Sequence, residues 1–252
     1  IDTAACYADS EEKIGRAVGH RRSEYLLFTK CGHTAGLEGE DWEPDLIRRS
    51  IERSLQRLKT DRVDLVMLHT CGRDVLEAGA ATTALLEARD RGLTRFVGYS
   101  GDGKDAYWAV ASGLFDVLET SISIADQQVL EDILPLAVER GMGVVAKRPI
   151  ANAAWRAISV RDADEYARPY FRRLKDLDYP FLTGDLETGI DVALRFTLSC
   201  PVVHTAIVGT TKPGRWQENA AVVAHGPLPQ ADYEAIRERW RRTAPADWVG
   251  LG

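Results

Sequence analysis

Short runs of apolar residues alternate with longer amphipathic segments along the whole chain. Continuous apolar runs without polar alternation are typical of strands covered on both faces, as in parallel sheets. Seven such runs are predicted strands: residues 1–3, 25–30, 63–69, 95–100, 115–119, 143–147 and 204–208. Between them, apolar residues recur at helical spacing and predict helices over 44–58, 127–140, 187–199 and 230–242.

The alternation of strands and helices predicts an α/β protein with a parallel sheet. No GxGxxG motif follows the first predicted strand, which disfavours the open sheet of dinucleotide-binding domains. The alternative is a (β/α)8 TIM barrel, which needs eight strands. The chain opens at Ile1 with only the stub of a strand. We therefore expect a single barrel domain over residues 1–252 whose first strand is missing from these residues.

Composition narrows the classes of function. The chain has 252 residues, of which 45% are hydrophobic, enough for one large core, and a net charge of −6 without a basic stripe. This charge disfavours a nucleic-acid partner. No apolar run approaches a membrane span, and no signal peptide is visible. The four cysteines are far apart and form no CxxC pair, so we expect reduced thiols in a cytoplasmic protein without a metal site.

Four ionisable residues stand at or just beyond the carboxyl ends of the first three predicted strands, where a barrel builds its active site. They are Asp2, Tyr7, Lys30 and His69. Reduction of a carbonyl leaves an alkoxide that needs a proton, and a phenol can give one if an ammonium lowers its pKa well below about 10. A carboxylate would anchor the ammonium, and a histidine would position the carbonyl oxygen.

Each of these residues also has an ordinary structural interpretation. Asp2 could cap a turn, Lys30 could be solvated, and Tyr7 could pack at the rim of the core. Spacing alone leaves the catalytic and the structural interpretation equally open. Further polar residues follow at the later strand ends, namely Ser100, Glu119, Lys147 and the turn 209–211.

Several motifs resemble those of the aldo-keto reductase family, in the family's order and over almost the whole chain. Residues 2–15, DTAACYADSEEKIG, resemble its DTAxxYxxSExxxG signature, and residues 29–32, TKCG, resemble its TKxG. Residues 50–69 resemble its S-x-x-R-L-x-x-D-x-x-D-L…H block. Residues 97–100, VGYS, resemble its GxS strand, and 209–219, GTTKPGRWQEN, its phosphate-binding turn and helix.

The resemblance implies that Asp2, Tyr7, Lys30 and His69 are a complete catalytic tetrad. It also implies NADP(H) as cofactor, with Ser100 on the nicotinamide carboxamide. The adenosine end of the cofactor would lie against Gly209, Thr210, Lys212, Arg215, Glu218 and Asn219. Amides at a helix start favour an anion, and two cations beside them favour a 2′-phosphate. The family's first strand and N-terminal hairpin have no counterpart in these residues.

The chain departs from the family pattern on the nicotinamide side. Gly101 stands where an asparagine often follows the serine, so that one carboxamide contact is lost. Glu119 replaces a glutamine and would place a carboxylate near the nicotinamide. Lys147 stands where an aromatic ring usually stacks on the nicotinamide, and an ion pair between Glu119 and Lys147 is one interpretation of the two changes.

Three functions remain open. The first is an oxidoreductase that transfers hydride from NADPH to an aldehyde or ketone, with Tyr7 as proton donor. The second is a nucleotide-binding regulatory or weakly active homologue, similar to channel subunits, which the departures at the nicotinamide favour. A metal-dependent hydrolase on the same barrel would need a histidine cluster at the strand ends, where His69 is almost alone. The carbonyl substrate depends on loops such as 32–41 and 151–184, and the oligomeric state is not readable from the sequence.

Overall fold

Six parallel strands form the sheet in a computed structural model that describes residues 1–251. They are hydrogen-bonded in chain order: β1 (Phe28–Cys31), β2 (Val63–His69), β3 (Thr94–Ser100), β4 (Val117–Ser121), β5 (Gly143–Lys147) and β6 (Thr205–Ile207). The register places Lys30 beside Met67 and His69 beside Ser100. Ser100 in turn lies beside Glu119. The carboxyl ends of β2, β3 and β4 therefore coincide, as the α/β prediction requires.

The structure corrects the prediction of a strand at residues 1–3, because Asp2 forms only an isolated parallel bridge with Phe28. The flanking backbone is nevertheless paired, since Phe28 N–H donates to the Ile1 carbonyl and Thr3 N–H donates to the Phe28 carbonyl. Such a short segment cannot form a ladder of its own, but two hydrogen bonds are enough to fix Asp2 beside the start of β1.

Helices lie at all four predicted positions, and further helices connect the remaining strands. The ten α-helices of the described residues are α1 (Ser10–Val18), α2 (Pro44–Leu58), α3 (Arg73–Ala78), α4 (Ala80–Asp90), α5 (Gly103–Ser112), α6 (Val129–Glu139), α7 (Arg168–Leu177), α8 (Leu186–Ser199), α9 (Arg215–Ala224) and α10 (Gln230–Thr243). Helix α2 begins with a proline, whose fixed φ suits the first turn, and ends at Lys59 in the left-handed conformation. Short 3-10 helices lie at Gly19–Glu24, Ala151–Arg156 and Pro180–Leu182.

The chain divides into two compact units, and the division falls within β4. The first unit comprises Ile1–Glu119 and Glu139–Met142, and its core includes the apolar stripe of α2 and the wholly buried β2 residues Val66, Met67 and Leu68. The second comprises Thr120–Val138 and the residues from Gly143 onward. Its core is a cluster rich in aromatic side chains, including Tyr170 and Phe196. No helix described in either unit is long and apolar enough to cross a membrane.

Candidate active site

Lys30 is the most deeply buried member of the predicted tetrad, with none of its side chain exposed. Its ammonium lies 2.5 Å from Asp2 Oδ1 and 3.4 Å from Glu119 Oε1, and it donates to the Thr3 carbonyl at 3.1 Å. Burying an ammonium is costly unless it is paired and hydrogen-bonded. The three acceptors therefore hold the charged amine in one position at the end of β1.

Tyr7 and His69 lie beside this buried cation. The Lys30 nitrogen is 5.4 Å from the centroid of the Tyr7 ring. The Tyr7 and His69 rings meet edge to face, with their centroids 5.6 Å apart. Tyr7 is 46% exposed, so a ligand can approach its hydroxyl from solvent. The Lys30 ammonium beside the ring is buried. The structure thus brings all four tetrad residues together within the first unit.

Two carboxylates determine the charge state of Lys30. Burial is the strongest influence and lowers the pKa of the Lys30 amine, but Glu119 and then Asp2 raise it, and the net pKa is above the usual 10.5. Lys30 is therefore a cation at neutral pH. Only Asp2 was predicted as its anchor, whereas the structure adds Glu119.

The same carboxylates affect Tyr7. Burial raises the pKa of the Tyr7 phenol, Lys30 lowers it, and Asp2 and Glu119 raise it again, so that the pKa lies above its usual 10.0. The prediction that Lys30 brings this pKa well below the usual value is wrong, because burial of the phenol, together with Asp2 and Glu119, raises the pKa more than the ammonium lowers it. The result keeps Tyr7 protonated at neutral pH, which is the form that a proton donor needs.

Ser100 and Glu119 form one buried pair at neighbouring strand ends. Ser100 Oγ donates to Glu119 Oε1 at 3.0 Å, and both residues are at most 2% exposed. Glu119 thus connects the predicted nicotinamide contact, Ser100, to Lys30. The pairing of Ser100 with Glu119 could have been found from the sequence, because the register of parallel strands aligns the ends of β3 and β4. The approach of Lys30 on β1 to Glu119 on β4, three strands away, additionally requires the sheet to curve.

Gly101 has a packing explanation. A Cβ at this position would lie 2.6 Å from the hydroxyl of Tyr99, whose ring is buried and whose hydroxyl donates to the Cys71 carbonyl at 2.8 Å. Tyr99 therefore fills the space that a side chain at position 101 would need. The absence of the family's asparagine follows from this neighbour.

Other residues of the Asp2-to-Gly15 motif have structural roles. Glu11 accepts a hydrogen bond from Thr29 Oγ1 at 2.7 Å and lies 3.6 Å from the Arg57 guanidinium. A Cβ at Gly15 would lie 2.1 Å from the Arg57 carbonyl, so that only glycine allows α1 to approach α2 this closely. These contacts fix the loop that carries Tyr7.

The loop after β1 adds residues that were not predicted as site residues. His33 lies edge to face against His69, with ring centroids 5.6 Å apart, and against Trp42 at 4.9 Å. Cys6 Sγ lies 3.3 Å from His69 Nδ1. His33 follows Lys30 by three positions, and a polar residue just beyond a strand end is a signal that could have found it.

The remaining predicted cofactor residues lie in the second unit. Lys147 is the last residue of β5 and is paired in register with Ile207. After β6, the chain turns through Gly209 and Thr210, and Thr210 Oγ1 accepts from the Lys212 N–H at 3.1 Å. The predicted ion pair between Glu119 and Lys147 stays a prediction.

The turn before α9 combines a helix start without a side-chain cap with two basic residues, Lys212 and Arg215. Gly214 enters the helix with a positive φ of 83°, and no side chain of the described residues caps the helix start. A Cβ at Gly209 would meet nothing within 4 Å, so the turn leaves room beside its N–H groups. Arg215 lies on the first turn, with its guanidinium 2.6 Å from Glu218 Oε2. Asn219 follows on the same helix, one turn after Arg215. These residues therefore fit a nucleotide cofactor.

Within residues 1–251, no group of three or more histidine, cysteine, aspartate or glutamate side chains could hold a metal ion. The four cysteines are free thiols, of which only Cys6 is exposed.

The chain is similar to known oxidoreductases over most of its length. The model of the Aldo/keto reductase family matches residues 1–241. L-galactose dehydrogenase of Arabidopsis thaliana is 27% identical, with 94% of this chain and 77% of that protein covered. NADH-specific methylglyoxal reductase of Escherichia coli is 26% identical, with 94% and 82% covered. The holo form of an aldo-keto reductase from Bacillus halodurans superposes with a TM-score of 0.76 at 25% identity, covering 94% of this chain and 81% of that one.

Proposed function

Because the chain belongs to the aldo/keto reductase family, we propose that it transfers hydride between NADP(H) and an aldehyde or ketone, with Tyr7 as the proton donor. The observation that carries the proposal is the buried Lys30 ammonium, fixed by Asp2 and Glu119 and 5.4 Å from the ring of the half-exposed Tyr7. A buried cation held beneath an accessible phenol supports proton transfer to a developing alkoxide.

Each residue has a distinct part in this reaction. When bound, the reduced nicotinamide supplies the hydride to the carbonyl carbon. Tyr7 gives its hydroxyl proton to the carbonyl oxygen, and the positive charge of Lys30 stabilises the phenolate that remains. Asp2 keeps Lys30 in place at 2.5 Å. His69, whose ring meets Tyr7 edge to face, positions the carbonyl oxygen against the phenol.

We extend the proposal to the fold and the cofactor. The six strands, parallel and in chain order, are consistent with a family barrel of eight strands. The uncapped start of α9, with Lys212 and Arg215 beside it, supports NADP(H). Since one relative is NADH-specific, and Arg215 already pairs with Glu218, the preference for a 2′-phosphate needs its own test.

Tyr7→Phe tests the reaction. Wild-type protein consumes NADPH with an activated aldehyde, and the variant loses at least about 100-fold in kcat, because general acid catalysis contributes roughly that much, while its Kd for NADPH is unchanged. Tyr107→Phe is the matched control, since Tyr107 on α5 is 48% exposed and lies outside the predicted site. Turnover by Tyr7→Phe at the wild-type rate would exclude Tyr7 as the donor. NADPH binding by wild type without turnover of any carbonyl would favour a nucleotide-binding regulatory protein instead.

Arg215→Ala tests the cofactor. If Arg215 recognises the 2′-phosphate, the Kd for NADPH rises about tenfold or more, as expected for a lost charge-assisted hydrogen bond, and the Kd for NADH changes little. Fluorescence titration with both cofactors measures this. An equal rise for the two would remove Arg215 from 2′-phosphate recognition.

A further inference from the structure

We propose that His33, oriented by Asp41, is a substrate-positioning residue that accepts a hydrogen bond from a hydroxyl group of the substrate, and that the substrates of this site are therefore hydroxylated aldehydes or ketones. The inference rests on the proposed carbonyl chemistry for the reaction, but the contact between His33 and a hydroxylated ligand can be measured without turnover. It concerns a side chain outside the tetrad and the cofactor site.

The His33 ring is held on several sides. Its Nδ1 lies 2.8 Å from Asp41 Oδ2, and the second oxygen of Asp41 accepts from the Thr34 N–H at 2.8 Å. Trp42 packs edge to face against the ring. A carboxylate fixed by the backbone and an indole against one side leave the imidazole little freedom to rotate, although its side chain is 36% exposed.

Trp42 is itself fixed by the backbone. It has a positive φ of 71°, and its N–H donates to the Gly32 carbonyl at 2.9 Å. A Cβ at Gly32 would lie 1.8 Å from the Trp42 ring, so the indole occupies the space that any side chain at position 32 would take. A left-handed non-glycine residue is costly and marks a constrained segment. The loop is therefore built to hold His33 in place.

The partner of Nδ1 determines what the opposite nitrogen can do. The hydrogen bond from His33 lowers the pKa of the Asp41 carboxyl, the largest of several influences, so Asp41 is ionised at neutral pH and can only accept. Nδ1 of His33 therefore carries the proton of this hydrogen bond, which leaves Nε2 as the ring nitrogen that can accept one. Among residues 1–251, Nε2 has no hydrogen-bond partner. A group that donates to it must come from a ligand or from water.

The His33 ring lies next to the residues that would hold the substrate carbonyl. His69 contacts both of the other rings, with its centroid 5.6 Å from that of Tyr7 and 5.6 Å from that of His33. In the proposed complex, a carbonyl oxygen held by Tyr7 and His69 brings the adjoining carbon atoms of the substrate within reach of His33. A hydroxyl group on one of these carbons can donate to Nε2. An anionic group there would face the charge of Asp41, which disfavours keto acids.

The test compares D-glyceraldehyde with propanal, which has the same carbon chain and no hydroxyl groups. In His33→Phe, kcat/KM for glyceraldehyde falls about tenfold, as for one lost hydrogen bond, mainly through KM. The values for propanal and the Kd for NADPH stay within about twofold. His33→Gln, which keeps an acceptor, restores part of the loss. His20→Phe is the matched control on an exposed histidine in the 3-10 helix Gly19–Glu24. Equal losses on both aldehydes, or no loss on glyceraldehyde, would overturn the assignment.

A binding experiment separates this inference from the proposed function. Protein labelled with ¹⁵N-histidine is titrated with glycerol and with 1-propanol, and the His33 signals are assigned from His33→Gln. A shift of the His33 ring nitrogens with glycerol alone supports the inference even if the protein reduces no aldehyde. An absence of any glycerol-specific shift overturns it, even if propanal and other simple aldehydes are reduced.

Discussion

Replacing Lys30 by methionine removes a cation that lies next to two buried carboxylates. The side chains of Asp2 and Glu119 are 9% and 2% exposed, and their oxygens lie 2.5 and 3.4 Å from the lysine nitrogen. Removing one partner of a buried ion pair costs about 3–5 kcal/mol, because the other charge stays buried without compensation. For a chain of this size, such a loss lowers Tm by roughly 10 °C. Methionine keeps the length and apolar stem of the side chain, so little packing is lost.

The matched control is Lys13→Met. Lys13 pairs with Asp9 at 2.8 Å, but the two side chains are 65% and 53% exposed. An exposed pair of this kind contributes at most about 1 kcal/mol, so Tm changes by only a few degrees. The net charge changes equally in both variants. The difference between the two losses in Tm therefore measures how much more the buried ion pairs of Lys30 contribute to stability than an exposed pair does.

The pH dependence provides a second measurement. Since the pKa of Lys30 is raised, its contribution to stability is complete below its usual 10.5 and is lost only as the pH rises through the raised value. The wild-type contribution is thus constant from about pH 5 to 9. The Lys30→Met penalty is therefore constant over this range and shrinks as the pH rises above 10.5. Thermal unfolding at several pH values tests this, and a Lys30→Met penalty equal to that of Lys13→Met, or one that already shrinks between pH 7 and 9, would refute the reasoning.

Two further changes test neighbouring contacts. Glu119 is one of the groups that raise the pKa of Tyr7. Glu119→Gln should therefore shift the alkaline limb of the kcat/KM profile, where Tyr7 loses its proton, to lower pH. A limb that stays in place or moves to higher pH would contradict the proposed coupling. Gly101→Asn should destabilise the protein by about 1–3 kcal/mol in denaturant unfolding, because its Cβ would meet the buried Tyr99 ring. Gly184→Asn is the control, since a Cβ there meets nothing within 4 Å, and equal effects of the two would remove Tyr99 as the cause.

Much of the fold could be predicted from the sequence because its signals are local. Apolar runs placed the six strands to within a few residues, and helical periodicity placed α2 and α6. The proximity of Asp2, Tyr7, Lys30 and His69 was also predictable, since strand ends follow from the apolar runs, and parallel strands bring their carboxyl ends to one edge. Their assignment as a tetrad came from the family resemblance. Residues 1–3 were predicted as the stub of a strand, although Asp2 forms only a single bridge with Phe28.

Tertiary structure decided the electrostatics and the packing of the site. The sequence placed Lys30 near Tyr7, but the sign of the Tyr7 pKa shift depends on the burial of the phenol and on the distance of both carboxylates, which only the folded chain fixes. It likewise could not show that Tyr99 closes the space beside Gly101, or that the loop after β1 returns Asp41 to His33. The order of residues determines which groups reach the strand ends, because secondary structure is periodic. Contacts among them depend on sheet curvature and loop closure, which distant parts of the chain determine together.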